Sequence, residues 1–190
     1  MIVMGSARRH INTTLALIVA AWGFSMPAAA ESDKVEDLFR QLSGAENADA
    51  GQRVALAIIE EWSKSGSAAI DLLLQRGEVA LQAGEPVRAA EHFTAAIDHD
   101  PAFAEAWHGR ATAYYLSGQI GPAIDDLRRA LVLNPRHFGA MEGFAIILEE
   151  LKRPEQALEV WKRVAELYPT NPAATGAIAR LELALEGQTL

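Results

Sequence analysis

The chain has 190 residues, half of them hydrophobic, with 17 basic and 25 acidic side chains and a net charge of −8. Length and composition suit one domain with a sizeable core, and an Ala- and Leu-rich sequence poor in β-branched runs points to helices. Cysteine is absent, which excludes disulfides and thiolate metal or redox chemistry, and the acidic excess disfavours binding to nucleic acid or anionic lipid.

The first thirty residues read as a secretory signal peptide. Arg8 and Arg9 form a positive flank, Leu15 to Phe24 is an apolar run, Pro27 breaks the helix, and Ala28-Ala29-Ala30 offers a small-residue cleavage site before Glu31. The run is short of the about 20 residues a membrane span needs. Export to the periplasm, with a mature chain starting near Glu31, is the expectation. An uncleaved anchor in the inner membrane, facing the periplasm, is the alternative. The segment holds the two arginines and no acid, so without it the net charge moves from −8 to −10.

Residues 31–69 read as an entry hairpin. Asp33 is placed to cap a short helix, VEDLFRQL, with Val35, Leu38, Phe39 and Leu42 on one face. Ser43 to Gly51 is small and polar, as a loop should be. A second helix is expected over 52–64, with Val54, Ile58 and Trp62 at four-residue intervals and Leu56 and Ile59 widening the face. Ser67 is positioned to cap the next helix. Counting back one period from the units that follow makes this a degenerate zeroth repeat.

Three units then follow, 70–103, 104–137 and 138–171, on a period of 34 residues. Pro101, Pro135 and Pro169 close them. Ala89, Ala123 and Ala157 keep one position small, and Phe93, Leu127 and Trp161 fill another with bulk. Leu73, Trp107 and Met141 share a further position, as do Gly77, Ala111 and Ala145, and Ala80, Tyr114 and Leu148. Small residues let two helices cross closely, and the bulky residue four positions later fills the groove beside them. Proline stops the second helix of each unit. Within the units, Gly84-Glu85-Pro86, Gly118 to Pro122 and Lys152-Arg153-Pro154 mark turns, with proline near the start of a helix where its missing N–H costs little. After Pro169, Asn171 and Pro172 start a last helix with Ile178, Leu181 and Leu185 in a stripe, which should cap the stack and show its polar face to water.

This pattern resembles the tetratricopeptide repeat (TPR) family, and the whole chain is similar to small exported TPR proteins of proteobacteria. Arg76 and Arg110, where the family favours Leu, and Val164, where it favours Ala, are departures. The resemblance implies an all-α, right-handed superhelix of three repeats, with the hairpin 31–69 before it and a capping helix, 172–190, after it. It also implies a non-catalytic scaffold that binds a protein or peptide on the concave face of the first helices. The family's groove positions fall here on Asp71, Leu74, Glu78, Leu81 and Gln82; on Glu105, His108, Thr112, Tyr115 and Leu116; and on Gly139, Glu142, Ile146, Glu149 and Glu150. None is Lys, Arg or Asn, so a grip on a partner's C-terminal carboxylate is not expected. An acidic lining with apolar patches favours a partner segment carrying basic and apolar residues.

No catalytic, cofactor or metal site is expected. Asp98-His99-Asp100 sits in a turn before proline, where short polar residues belong. His92 should face outward, and His137 should be a cap or surface residue. Asp125-Asp126 and Glu149-Glu150 are adjacent on helices and diverge by about 100°, so they read as solvated faces and not as dyads. No phosphate-binding glycine loop or nucleophile elbow occurs.

Overall fold

The computed structural model describes residues 27–187. Arg8, Arg9, His10 and the apolar run to Phe24 lie outside the described residues. Among those described, the chain forms nine α-helices and no strand: α1 Pro27–Ser43, α2 Ala48–Trp62, α3 Ala68–Gln82, α4 Pro86–His99, α5 Ala104–Leu116, α6 Ile120–Leu133, α7 Phe138–Glu150, α8 Pro154–Leu167 and α9 Pro172–Glu186. No helix among them is long and apolar enough to cross a membrane.

The 34-residue period is written into the turns. Inside each unit the first helix ends in a left-handed residue: Gly84 (φ 72°), Gly118 (φ 73°) and Lys152 (φ 58°). Each makes the same pair of closing bonds. The amides of Glu85, Gln119 and Arg153 donate to the carbonyls of Ala80, Tyr114 and Leu148, at 2.9, 2.8 and 3.0 Å. This satisfies carbonyls that the helix end would otherwise leave open. Glycine takes that conformation without strain; Lys152 does not. Between units, Phe103, His137 and Asn171 hold one register as N-caps of α5, α7 and α9.

Packing follows the small-and-bulky pattern. Phe93 is fully buried, and a Cβ added at either Gly77 or Gly109 would lie 2.5 Å from its ring. The ring therefore fills a slot between α3 and α5 that two glycines leave open. Trp107 is only partly buried and donates from its indole Nε1 to the Pro101 carbonyl at 3.0 Å. Arg110, one of the departures, forms a bidentate pair with Asp126 at 2.7 and 2.9 Å, and its guanidinium lies 4.8 Å from the Trp107 ring. Asp126 is buried beneath the half-buried Arg110, so the reading of that aspartate as solvated is corrected. The first helices α3, α5 and α7 touch in succession and so line the inside of the stack.

The N-terminal hairpin departs from expectation in three ways. α1 already begins at Pro27, so Asp33 lies inside it and caps nothing. α2 is capped by Asn47, whose side chain accepts from the Ala50 amide at 2.9 Å. Most important, the hairpin does not stack on α3 as a zeroth repeat. The core around α3–α5 contains no residue of α1 or α2. Phe39, Leu42, Ala55 and Ile58 instead share a core with Phe138, Met141, Trp161, Tyr168 and Leu181.

α2 lies along the edge formed by the turns between units. Gly51 sits against Tyr168 and Thr170, so closely that an added Cβ would be 2.1 Å from the Thr170 hydroxyl. Trp62, near the other end of α2, packs on His137 and Phe138 at 4.9 and 5.2 Å between ring centres. Arg136 in that same turn binds Glu36 of α1 and covers the Phe39 ring. Leu56 and Ile59, assigned to the buried face from periodicity, are exposed.

Candidate functional site

The inner surface carries a cavity of about 390 Å³ between α5 and α7. Its walls include His108, Thr112, Tyr115 and Leu116 from α5 and Glu142, Ile146 and Ile147 from α7. Seven of the groove positions read from the sequence thus meet at one place: His108, Thr112, Tyr115, Leu116, Gly139, Glu142 and Ile146. Leu116 and Ile146 are 57% and 41% exposed and give the cavity an apolar rim. No lysine or arginine lines the cavity. Gly139 and Gly143 form part of the floor, and the absence of side chains there leaves the space open.

Other groove positions are engaged elsewhere. Leu74 is buried in the α3–α5 core, with Leu81 packed at its margin. Asp71 accepts from both the amide and the hydroxyl of Ser65, at 2.8 and 2.6 Å, and pins the loop into α3. Gln82 is exposed at the last turn of α3. Glu150 accepts from the Tyr115 hydroxyl. Glu149 accepts from Trp161 Nε1 at 2.8 Å and pairs with Arg180 of α9. The Arg180 bond holds its carboxyl below the ordinary range. It is a strut between α7, α8 and α9, where the sequence suggested a solvated acid.

Beneath the cavity lies a buried cluster that sequence reasoning missed. Glu105 and His137 are 7% and 1% exposed. The His137 Nδ1 accepts the Ala140 amide at 3.1 Å and caps α7. In the neutral ring the proton must then sit on Nε2. That nitrogen lies 3.0 Å from Glu105 Oε1, off the line of a straight hydrogen bond. His108 packs against His137 with ring centres 4.5 Å apart and the planes tilted by 59°, and its Nδ1 is 3.8 Å from Glu105 Oε2. Trp62 of α2 packs on the His137 ring and seals it. His137 is thus a cap, as expected, but a buried one.

The electrostatics are those of one buried negative charge with histidine neighbours. Burial pushes the Glu105 carboxyl up, but His108 and His137 outweigh it and hold it at about 2. Burial likewise drives the His137 imidazole below its ordinary value, against the pull of Glu105. The ligand-type atoms of Glu105, His108 and His137 lie within 4.8 Å of one another. The set does not fit a metal ion well as built. Nε2 could ligate only if its proton moved to Nδ1, which would destroy the cap on α7. The sequence signal was Glu105-x-x-His108 on one helix face; His137, at the far end of the same unit, joins it only through the packing of α7 against α5.

Comparison with known proteins places this geometry. The sequence pattern of the tetratricopeptide repeat matches residues 74–135 and again 110–172. A TPR repeat-containing protein of Rhizobium etli is 31% identical over 160 residues, covering 84% of this chain and 78% of its own. The chain belongs to the tetratricopeptide repeat family. The first TPR of Spaghetti (RPAP3), solved with an HSP90 peptide bound, is 27% identical with a TM-score of 0.60, over 63% of this chain and 95% of that one. The crystal structure of MamA protein is similar over 85% of both chains, with a TM-score of 0.56; at 21% identity that is a likeness of fold alone.

TPR domains are protein-interaction scaffolds, and the solved neighbour carries its peptide as such a scaffold does. Two of the three departures of this TPR chain from the family pattern have structural reasons. Arg110 replaces an apolar contact by its pair with Asp126, and Val164 fills its slot completely.

Proposed function

We propose that the protein is an exported, non-catalytic TPR adaptor that holds a protein segment with apolar and basic residues in the cavity between α5 and α7. The observation that carries this is the lining. Leu116, Ile146 and Ile147 offer apolar contact, Glu142 offers negative charge, and no basic side chain competes. A scaffold of this type assisting assembly or trafficking of envelope proteins would work in the periplasm, which is what residues 1–30 suggest. The peptide held by the solved neighbour supports a peptide guest. The lack of Lys, Arg and Asn in the lining argues against a guest held by its terminal carboxylate.

The test is comparative capture. Wild-type protein and Ile146→Asp should retain different proteins from a periplasmic extract of the source organism, read by mass spectrometry. Partners lost with Ile146→Asp but kept with a distant surface change, such as Glu159→Lys, are groove partners. Identical captures would end the proposal. N-terminal sequencing of native protein checks export: a start near Glu31 supports it, and an intact Met1 supports the second reading, a TPR subunit tethered to the inner membrane by its N-terminal segment.

A further inference from the structure

The second helix of each repeat packs against the first helix of the next, and the residues that meet there recur. Ala106 and Ala113 of α5 are fully buried in the core shared with α4, as are Ala140 and Ile147 of α7 in the core shared with α6. One period earlier the same two positions on α3 hold Leu72 and Val79, also apolar, yet 45% and 57% exposed. The hairpin that precedes α3 does not cover them, because α1 and α2 are seated on the third repeat. Beside them opens a cavity of about 480 Å³ whose walls include Arg76, Val79, Ala83, Arg88 and His92. Arg88 is paired with Glu85. Arg76 is not: among the described residues its side chain makes no ion pair or hydrogen bond. Its counterpart Arg110 binds Asp126, whose place one period earlier is taken by His92.

α2 carries the matching half. Its exposed face holds Leu56 and Ile59 with Glu60 beside them, and the Glu60 side chain is as unpartnered as that of Arg76. These three stand one period before Ala90, Phe93 and Thr94 of α4. There the Phe93 ring lies against Gly109 of α5, and the Thr94 hydroxyl accepts from Arg110 Nη1 at 3.2 Å. Moving both contacts back one period sets Ile59 against Gln75 and Glu60 against Arg76. The same antiparallel register brings Leu56 to Val79. A face built to receive a helix and a helix face built to cover it thus occur in one chain, but do not pack together within it.

We propose that the protein pairs with a second copy of itself, the Leu56–Glu60 face of α2 in one copy covering the open face of α3 in the other. The second copy brings apolar side chains to apolar side chains and supplies the acid that Arg76 lacks. The loop 63–67 joins α2 to α3, so the two faces are neighbours along the chain. Two copies about a two-fold axis beside that loop make the contact twice, and the pair is closed. Two helix contacts form a small interface, so the pairing is reversible and depends on concentration. None of these residues lines the cavity between α5 and α7, and the pairing stands or falls apart from the guest held there.

The test is the mass of the native protein, followed by light scattering and sedimentation from about 1 to about 200 μM. It should rise from monomer toward dimer across that range. Glu60→Arg and Arg76→Glu each set like charges together in both contacts, and each should weaken pairing at least about tenfold at low salt. Mixing the two variants should restore it, because every contact in the mixed pair again joins an acid to a base. Both residues are exposed, and circular dichroism checks that each variant keeps its fold. A monomer at every concentration would overturn the proposal, whether α3 is then covered by its own α2 or by a foreign protein. Pairing that survives both reversals would overturn it as well, since another surface would carry it. So would a mixture that stays as weakly paired as its components.

Discussion

The first repeat, α3–α4, leaves Leu72, Val79 and Val87 at the surface, 45%, 57% and 65% exposed. The third, α7–α8, is covered from two sides, by α9 and by the α1–α2 hairpin, in one core that runs from Phe39 to Leu181. The same 34-residue code built both. What differs is tertiary closure: the hairpin that precedes the first repeat in sequence leaves that repeat open and is spent on the last. A repeat code therefore specifies how neighbours pair and says little about what lies across the turn edge.

That contrast can be broken most severely at Phe93. Phe93→Ala empties the slot between Gly77 and Gly109 in the repeat with no outer cover, and should cost about 3–5 kcal/mol. Chemical denaturation should show a fall of that size, with amides of α3–α5 exchanging before those of α7–α9. Uniform exchange would show that the two ends are not separately stabilised. Trp107→Ala, which would reach that range only in a fully buried ring, should cost less because the ring is partly exposed.

Acid should weaken the covered end next. Glu105 is held at about 2 against an ordinary 4.5, a difference worth roughly 3 kcal/mol. Its folded value is depressed, so the stabilisation is present above pH 4.5 and is lost as the pH falls toward 2. His137 is also depressed, from 6.5, so the folded state resists its protonation and stability begins to fall below that pH. Thermal melts across pH 7 to 3 should show both phases. His137→Asn keeps a side-chain cap, as Asn171 does in the same register at 2.9 Å, and should remove the earlier phase and shrink the later one, because His137 helps hold the Glu105 carboxyl down. Parallel profiles for the two proteins would contradict this assignment.

Gly51→Leu sharpens the comparison by lifting the hairpin from its seat. Overpacking there should cost about 1–3 kcal/mol. Hydrogen exchange should rise in α1 and α2 and around His137, and α3–α5 should stay as protected as before. The smallest effect is expected at Lys152→Gly. It gives the third repeat the residue that Gly84 and Gly118 already supply at a left-handed position, and should raise stability by up to about 1 kcal/mol.

Much of this was legible in the chain because repetition makes it so. The positions shared by Ala89, Ala123 and Ala157 name the crossings, and all three are fully buried. The cavity was legible in the same way, since His108, Tyr115, Glu142 and Ile146 follow from the repeat register. The seat of the hairpin was not. Leu56 and Ile59 extend the apolar periodicity of α2 yet face water, because α2 meets turns and not a helix face. Nor was the Glu105–His137 contact, which joins the two ends of the unit 104–137 and depends on a cap whose residue type changes from Phe103 to His137 to Asn171. The role of Glu149 was hidden because its partners, Trp161 and Arg180, come from two later helices.

The docking of α1 and α2 has a consequence for synthesis. Glu36 meets Arg136 one hundred residues downstream, and Gly51 meets Tyr168 and Thr170. A nascent chain emerging from the ribosome holds these helices long before their seat exists. The middle repeats, whose contacts are between neighbours, can assemble while the first two helices wait. Final closure depends on Tyr168 and Thr170, so a message cut short before residue 168 would yield a stack whose first two helices lack that part of their seat and leave apolar surface open to chaperones and proteases.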